Sequence, residues 1–445
     1  MKDLTKGNTL KTFLIFAIPL VLGGVLSQGY NLVDTIIAGK MLGDTGLAAI
    51  GATGSFVTLI SSVLWGFGGG YAVYIARLFG SKDFKKMKNC IVSGGVFISL
   101  SALIMGIVLF LIKDPIFDLL KVDESIRKET FEYFGTYILG LFIIILNNFG
   151  FSIMNALGES TYPFFMSLIS ALLNILGNII SVAFLRMGVF GIAASSLFAA
   201  FVVDIFYIIR LRRCFAELGL GKERTELSFK YIKDSLPYAG PNTFQQTVLY
   251  IAGVIASSII NGMGAAATAG FIVITRIYDF CAQIYHNSAK TISNYTAQCV
   301  GAGKTDKIRS GVWLGIAQGC AFVLPVILLC MIFSEPVCYL FFDADAEREA
   351  VEIAVTFTKY FLPFIVFQLL CNVFHALFRG VKSTKCLFIS TTIGAVSRIV
   401  LTFILARFYN MNGVLCAWVL SWVIETVYSL IIFMGDSWLP QNTSK

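Results

Sequence analysis

Charge is what this sequence has least of. Only 13% of its 445 residues are Asp, Glu, Lys or Arg, about half the roughly 25% usual in a soluble domain, while 57% are hydrophobic. That balance excludes a water-soluble globule. Histidine is scarcer still: His286 and His375 are the only two. They fall in separate predicted helices and neither is followed by Glu, so the H-E-x-x-H pair or base-partnered Ser of an intramembrane hydrolase is missing. An enzyme is not expected. No G-x-x-x-x-G-K-[ST] loop is present to cradle a nucleotide phosphate, and no soluble stretch is long enough for a nucleotide-binding domain. The ten cysteines show neither C-x-x-C nor Cys/His zinc spacing, and they read as small core residues within apolar segments. No metal or other cofactor is expected.

What is abundant is apolar length. The runs 12–33, 45–76, 90–112, 133–158, 162–185 and 311–334 contain no charged residue, and each exceeds the roughly 20 residues that cross a bilayer core. Barrel strands would be nearer 10 residues with alternating polarity, so these are helices. Breaks at charged or Gly/Asn/Pro punctuation give twelve spans, near 12–38, 45–76, 90–112, 131–158, 162–185, 187–209, 235–260, 265–298, 311–334, 354–378, 386–406 and 408–432. The first run is too long for a signal-peptide core and lacks a small-residue cleavage site, so it is expected to stay in the protein. Twelve spans put both termini on one side. With that side cytoplasmic, the inner segments hold 21 Lys and Arg, seven of them between Arg210 and Lys233, against 8 in the outer loops. This distribution places the termini in the cytoplasm, and the inner membrane of a prokaryote is the expected location. Topology accounts for the net charge of +8, and no nucleic-acid partner is implied.

The sequence also repeats. Ala76–Asp83 returns as Ala297–Asp306; Ala156-Leu157 with Ser160-Thr161 returns as Ala376-Leu377 with Ser383-Thr384; Gly191, Asp204 and Tyr207 return near Gly413, Glu425 and Tyr428. An offset of 220–223 residues makes two six-helix halves, 1–209 and 235–445, joined by a basic linker at 210–234. An even number of spans per half makes the repeat parallel, the layout of a transporter that rocks two halves about a central cleft. A channel filter would need a repeated carbonyl loop, and none is present.

With the repeat in view, the motifs become recognisable. Pro19, Tyr30-Asn31-Leu32-Val33-Asp34-Thr35-Ile36-Ile37-Ala38-Gly39, Leu42-Gly43 and Leu47–Gly51, together with Ala76–Gly80, Ala297–Gly303 and Ala376-Leu377-Phe378-Arg379-Gly380, resemble the multidrug and toxic compound extrusion (MATE) family over essentially the whole chain. The resemblance implies a monomeric, lipid-embedded exporter of small amphipathic, mostly cationic organic compounds. It would be driven by protons or sodium without nucleotide hydrolysis. The rival reading is a flippase or exporter of an anionic or lipid-linked metabolite, favoured if Arg276, Lys290 and Arg398 face the cleft.

Ionisable residues in hydrocarbon are costly, and each is a functional candidate by default. Asp34 has no Lys or Arg within three residues, and Tyr30 lies one turn earlier on the same face. Burial disfavours the charged form of a carboxylate and lets it exchange protons near neutral pH. Asn174 and Asn178 are four apart on one face of the fifth helix, and Ser196 matches a family position where Thr is common. These five make the expected cation-coupling site, with sodium at Asp34 the one conceivable metal. Family members often have Asp at the position of Asn178; here Asp34 stands as the sole acid. The family's second cation site uses acids on the seventh and tenth helices, where this chain has Gln245, Gln246, Gln368 and Asn372, so that site is not carried over. Coupling is therefore expected through the first half alone. Gln245, Gln246 and Gln368, with Arg276, Asp279 and Lys290 on the eighth helix, are the substrate-cleft candidates. Arg276 and Asp279, three apart, are expected to pair, and Lys290 sits one turn after His286. Asp204 and Glu425 are expected to anchor the cytoplasmic ends of the sixth and twelfth helices, near Arg210 and the C-terminal tail. Gly68-Gly69-Gly70 marks close backbone approach or a bend.

Overall fold

A computed structural model describes the backbone of residues 1–342 and 347–439, and all their side chains except those of 30–36, 38, 44, 47 and 55. Among the described residues every regular element is helical. In chain order they are α1 (Thr9–Gly80), α2 (Phe84–Leu111), α3 (Lys113–Leu119), α4 (Arg127–Leu139), α5 (Leu141–Ala156), α6 (Thr161–Asn178), α7 (Gly188–Glu217), α8 (Phe229–Asn261), α9 (Ala265–Gly301), α10 (Asp306–Ile332), α11 (Ser334–Tyr339), α12 (Arg348–Thr356), α13 (Ile365–Val381) and α14 (Thr384–Met434). Turns of π-helix follow α6 at Ile179–Phe184 and α12 at Phe357–Phe361.

Ten stretches of helix are long and apolar enough to cross a membrane, or eleven when α4 and α5, bent by 47°, count as one crossing. α1 supplies two of the ten, broken at Gly43, whose φ of 67° suits glycine. α14, 51 residues long, is broken at Asn410, whose positive φ of 49° with ψ −132° lies outside the helical region. Its length holds two crossings, so the helical membrane fold read from the sequence is the one observed. At the α4–α5 bend Gly140 lies close against α7, where an added Cβ would meet the Leu197 side chain.

The chain forms two compact units, Met1–Asp3 with Leu22–Thr243, and Leu4–Val21 with Phe244–Lys445. The division falls inside α1 and α8, whereas the sequence reading put it at the basic linker. Within the first unit that linker is tied to the start of α2. Lys88 Nζ donates to the carbonyls of Leu220 and Glu223 at 2.8 and 2.7 Å, and Lys86 pairs with Asp234 at 2.8 Å. The glycine stretch of α1 proves to be a close approach. A Cβ on Gly70 would lie 2.5 Å from the Tyr238 carbonyl oxygen and 2.6 Å from Ala239 Cα, and one on Gly66 would lie 2.7 Å from Thr243 Cα. This small-residue spacing lets helix backbones touch, and Asn242 Nδ2 donates to the Gly66 carbonyl across the contact at 2.6 Å. In the second unit Gly311, Gly315 and Gly319, one turn apart on α10, receive Tyr295 and Ile292 of α9 and Leu369 of α13.

Leu111, Phe184 and Leu340 are 72%, 76% and 79% exposed, as befits a surface solvated by lipid. All ten cysteines are free thiols and seven are buried, as expected of small core residues.

Candidate functional site

In the first unit, α6 and α7 pack along each other because small residues line their crossing: a Cβ on Gly177 would lie 2.9 Å from Ser195 Cβ, and one on Gly191 2.8 Å from Ser181 Oγ. The close approach brings three of the five predicted coupling residues together. The Ser196 hydroxyl donates to the Ile192 carbonyl at 3.1 Å, so its oxygen is the acceptor for Asn174 Nδ2 at 2.8 Å. That fixes the Asn174 amide with Oδ1 toward Asn178, whose Nδ2 donates to it at 3.2 Å. A one-way chain results, running from the buried Asn178 through Asn174 and Ser196 to a backbone carbonyl. The π-helical stretch begins at the next residue, Ile179, an irregularity often found at functional positions. Ser181 and Ser195, 3.2 Å apart, extend the polar seam. Asp34 and Tyr30 lie outside the residues whose side chains are described.

The second unit contains a polar network that the sequence reading did not assemble. His375 on α13 is 5% exposed and Glu425 on α14 8%, with Nε2 3.1 Å from Oε1. Nε2 also lies 2.9 Å from Ser390 Oγ, which is 2.8 Å from Ser429 Oγ. On the other side of the ring Nδ1 is 2.6 Å from Gln245 Nε2 of α8, and Gln245 Oε1 accepts from Arg379 Nη1 at 2.9 Å. Gln245, taken from the sequence as a cleft candidate, is thus buried inside this network. Gln368 is also buried, whereas Gln246 is partly exposed. Glu425 is no terminal anchor: nine residues, about 14 Å, separate it from the end of α14. Asp204 is no anchor either. Six residues before Arg210 places it on a different face of α7. Arg210 engages Glu159 and Glu217, while Asp204 is buried beside the Asn147 amide.

α9 carries a continuous stripe, Ile272, Arg276, Asp279, Gln283, His286 and Lys290, spaced alternately by four and three residues on one face. Arg276, Asp279 and Lys290 on it are exposed. The expected pairing of Arg276 with Asp279 is not formed, and among the described residues no ion pair joins them. An exposed pair gains too little, about 0–1 kcal/mol, to hold two solvated side chains together. Lys290 donates to Asn287 Oδ1 at 3.1 Å. Arg398 lies against the rings of Trp418 and Trp422, 5.4 and 5.9 Å from their centroids, a cation–π arrangement inside the unit. The signal that could have exposed the His375–Glu425 pair was in the repeat: Asp204 and Glu425 occupy equivalent positions, and an acid kept in both copies argues against a free helix end.

The family model MatE matches the chain twice, over residues 19–180 and 241–404. The two matches start at an offset within the 220–223 residues of the internal repeat. The probable multidrug resistance protein YpnP of Bacillus subtilis is 23% identical over 378 residues, covering 83% of each chain. Among solved structures, a multidrug resistance transporter of the MATE family in an outward-facing conformation aligns with a TM-score of 0.87 at 21% identity, covering 98% of this chain and 97% of that one. A mutant of the Vibrio cholerae MATE transporter VcmN aligns with a TM-score of 0.88 at 18% identity, covering 96% of each.

Proposed function

The chain belongs to the MatE family of membrane transporters, and on that premise we propose that it is a secondary antiporter exporting amphipathic, cationic organic compounds by alternating access. A proton or sodium ion moving down its gradient drives the cycle, with no nucleotide and no resident cofactor. Its setting is the inner membrane of a prokaryote, as a monomer among lipids, with termini and linker in the cytoplasm.

The observation that carries this reading is the one-way chain Asn178–Asn174–Ser196 buried between α6 and α7. Paired amides and a hydroxyl of fixed direction are a prepared setting for one carboxylate and its ion, and Asp34 with Tyr30 is assigned to complete it from α1. As a carboxylate Asp34 only accepts hydrogen bonds; protonated, it also donates. Sodium, a hard cation, would instead gather carboxylate, amide and hydroxyl oxygens. Either change alters what α1 offers α6 and biases the first unit between forms that bind and release substrate. Uptake of a cationic dye into inverted vesicles, with proton and sodium gradients imposed separately, tests the reading. Accumulation under at least one gradient is expected, and equal uptake with neither gradient present contradicts antiport.

One observation favours the second reading, export of an anionic or lipid-linked metabolite: exposed Arg276 and Lys290 share a face of α9. Preference for an anionic over a cationic dye in the same vesicles would select it.

A further inference from the structure

The geometry points to a second proton-binding site, in the second unit, at the His375–Glu425 pair. The family's acids on the seventh and tenth helices are absent from this chain, and the acid here comes from another helix, α14.

Hydrogen-bond direction fixes the state of the ring. Gln245 Oε1 accepts from the Arg379 guanidinium at 2.9 Å, so the other end of the amide, Nε2, is what meets His375 Nδ1 at 2.6 Å. An amide N–H can only donate, and Nδ1 must therefore carry no proton. The ring proton sits on Nε2, which faces Glu425 Oε1 at 3.1 Å and Ser390 Oγ at 2.9 Å. The resting state is a neutral imidazole donating toward a buried carboxylate.

A proton arriving at Nδ1 changes more than the ring. An N–H at Nδ1 would oppose the Gln245 N–H₂, so the amide must turn over and present Oε1 to His375. Its N–H₂ then faces Arg379, donor against donor, and the Arg379–Gln245 hydrogen bond is lost. One proton taken from water thus creates an imidazolium beside the Glu425 carboxylate and breaks the Arg379–Gln245 hydrogen bond; losing that proton to water restores the first arrangement. A carboxylate at 3.1 Å receives the charge. Other titratable groups around the pair are Arg379 and Cys371 on α13, His286, Lys290 and Tyr278 on α9, and Arg398 on α14; α8 contributes the uncharged Gln245. Two of these, His286 and Lys290, lie on the polar stripe of α9 and feel the charge of Arg379, so the arginine whose bond the proton breaks belongs to the electrostatics of that face. The repeat sets the site apart: the first half has Asn155 where the second has His375, so Asp204 has no equivalent imidazole.

The inference rests on the ion-driven reading only for its use in transport, and its test needs no flux. In the full-length protein with ¹⁵N-labelled histidine rings, His286→Gln leaves His375 as the only imidazole. At pH 8.5 its proton is expected on Nε2, with Nδ1 bare; lowering the pH to 5 should protonate both nitrogens. Glu425→Gln should weaken proton affinity at least tenfold. Should His286→Gln fail to fold, the wild-type spectrum holds two ring signals, and the one missing from His375→Gln is the reporter. A proton on Nδ1 at pH 8.5, a ring still neutral at pH 5, or a titration indifferent to Glu425→Gln each overturns the proposal and leaves the Asp34 reading standing. The link to substrate is read as ethidium affinity in Asp34→Asn protein. A pH dependence that persists there and vanishes on adding His375→Gln supports the second site; one unchanged by that addition overturns its role in coupling.

Discussion

Replacing Gly70 by Ala should damage the first unit out of proportion to the single methyl added, whereas the same change at Gly68, two residues away, should not. At Gly70 the new Cβ would meet the Tyr238 carbonyl oxygen at 2.5 Å, Ala239 Cα at 2.6 Å and the Tyr238 carbonyl carbon at 2.9 Å. Carbon atoms rest at about 3.5–4.0 Å, so the backbone at the start of α8 must retreat by about 1 Å. None of these atoms is the end of a side chain that could swing aside. Such overpacking costs about 1–3 kcal/mol. The shift also strains two hydrogen bonds across the contact, Asn242 Nδ2 to the Gly66 carbonyl and Arg77 to the Tyr238 hydroxyl. A total of about 3 kcal/mol corresponds to a lowering of the unfolding midpoint by roughly 6–12 °C for a unit of this size. At Gly68 the nearest atom is Ile98 Cδ1 at 3.6 Å, ordinary van der Waals contact. Ala there gains helix propensity, up to about 1 kcal/mol. Thermal unfolding in detergent, followed by tryptophan emission, compares the two variants. Equal midpoints would refute the argument that backbone contact, rather than a general need for flexibility, explains this glycine stretch.

Asn174→Ala removes the middle of the α6–α7 chain and with it two hydrogen bonds worth about 0.6 kcal/mol each in a membrane; the protein should still fold, while dye transport under an imposed ion gradient falls at least fivefold. Glu159, in the turn between α5 and α6, is pushed toward its neutral form by burial, but the Arg210 guanidinium and the Met1 amino group outweigh that and hold its carboxyl below the ordinary 4.5. That contribution, about 1 kcal/mol for a partly exposed pair, is present above pH 4.5 and is lost as acidification passes the lowered value. Stability measured between pH 6 and 3 should fall less steeply in Arg210→Ala than in wild type. A cysteine introduced at Gly221 should resist an impermeant thiol reagent applied outside intact cells; labelling there would overturn the assigned orientation.

The membrane-spanning helices were legible because they rest on one strong signal, unbroken apolar length, which tertiary packing does not override. Gly43 and Asn410 show where that reading blurs: helix runs up to each break, and only a single residue of positive φ marks it. Gly140 shows a limit of another kind, since its close approach to Leu197 of α7 is a contact that no local pattern announces. At the site, Asn174 and Asn178 could be paired from their four-residue spacing alone, and Ser196 joined them through the family pattern. The contacts of Gln245, His375, Arg379 and Glu425 span separations of up to 134 residues and three helices. Spacing along one helix could not pair them. The reading of Arg276 with Asp279 failed for the opposite reason: spacing permits an i,i+3 pair, but exposure decides whether it forms.

The central claim is that Asp34 exchanges its ion with substrate. Asp34→Asn keeps the size and shape of the protonated acid and cannot titrate. Uptake of a cationic dye into inverted vesicles, with proton and sodium gradients applied one at a time, reads the consequence directly. The variant should reach the membrane in wild-type amount, bind dye, and show no gradient-driven transport under either ion; wild-type rates under either gradient would contradict the claim.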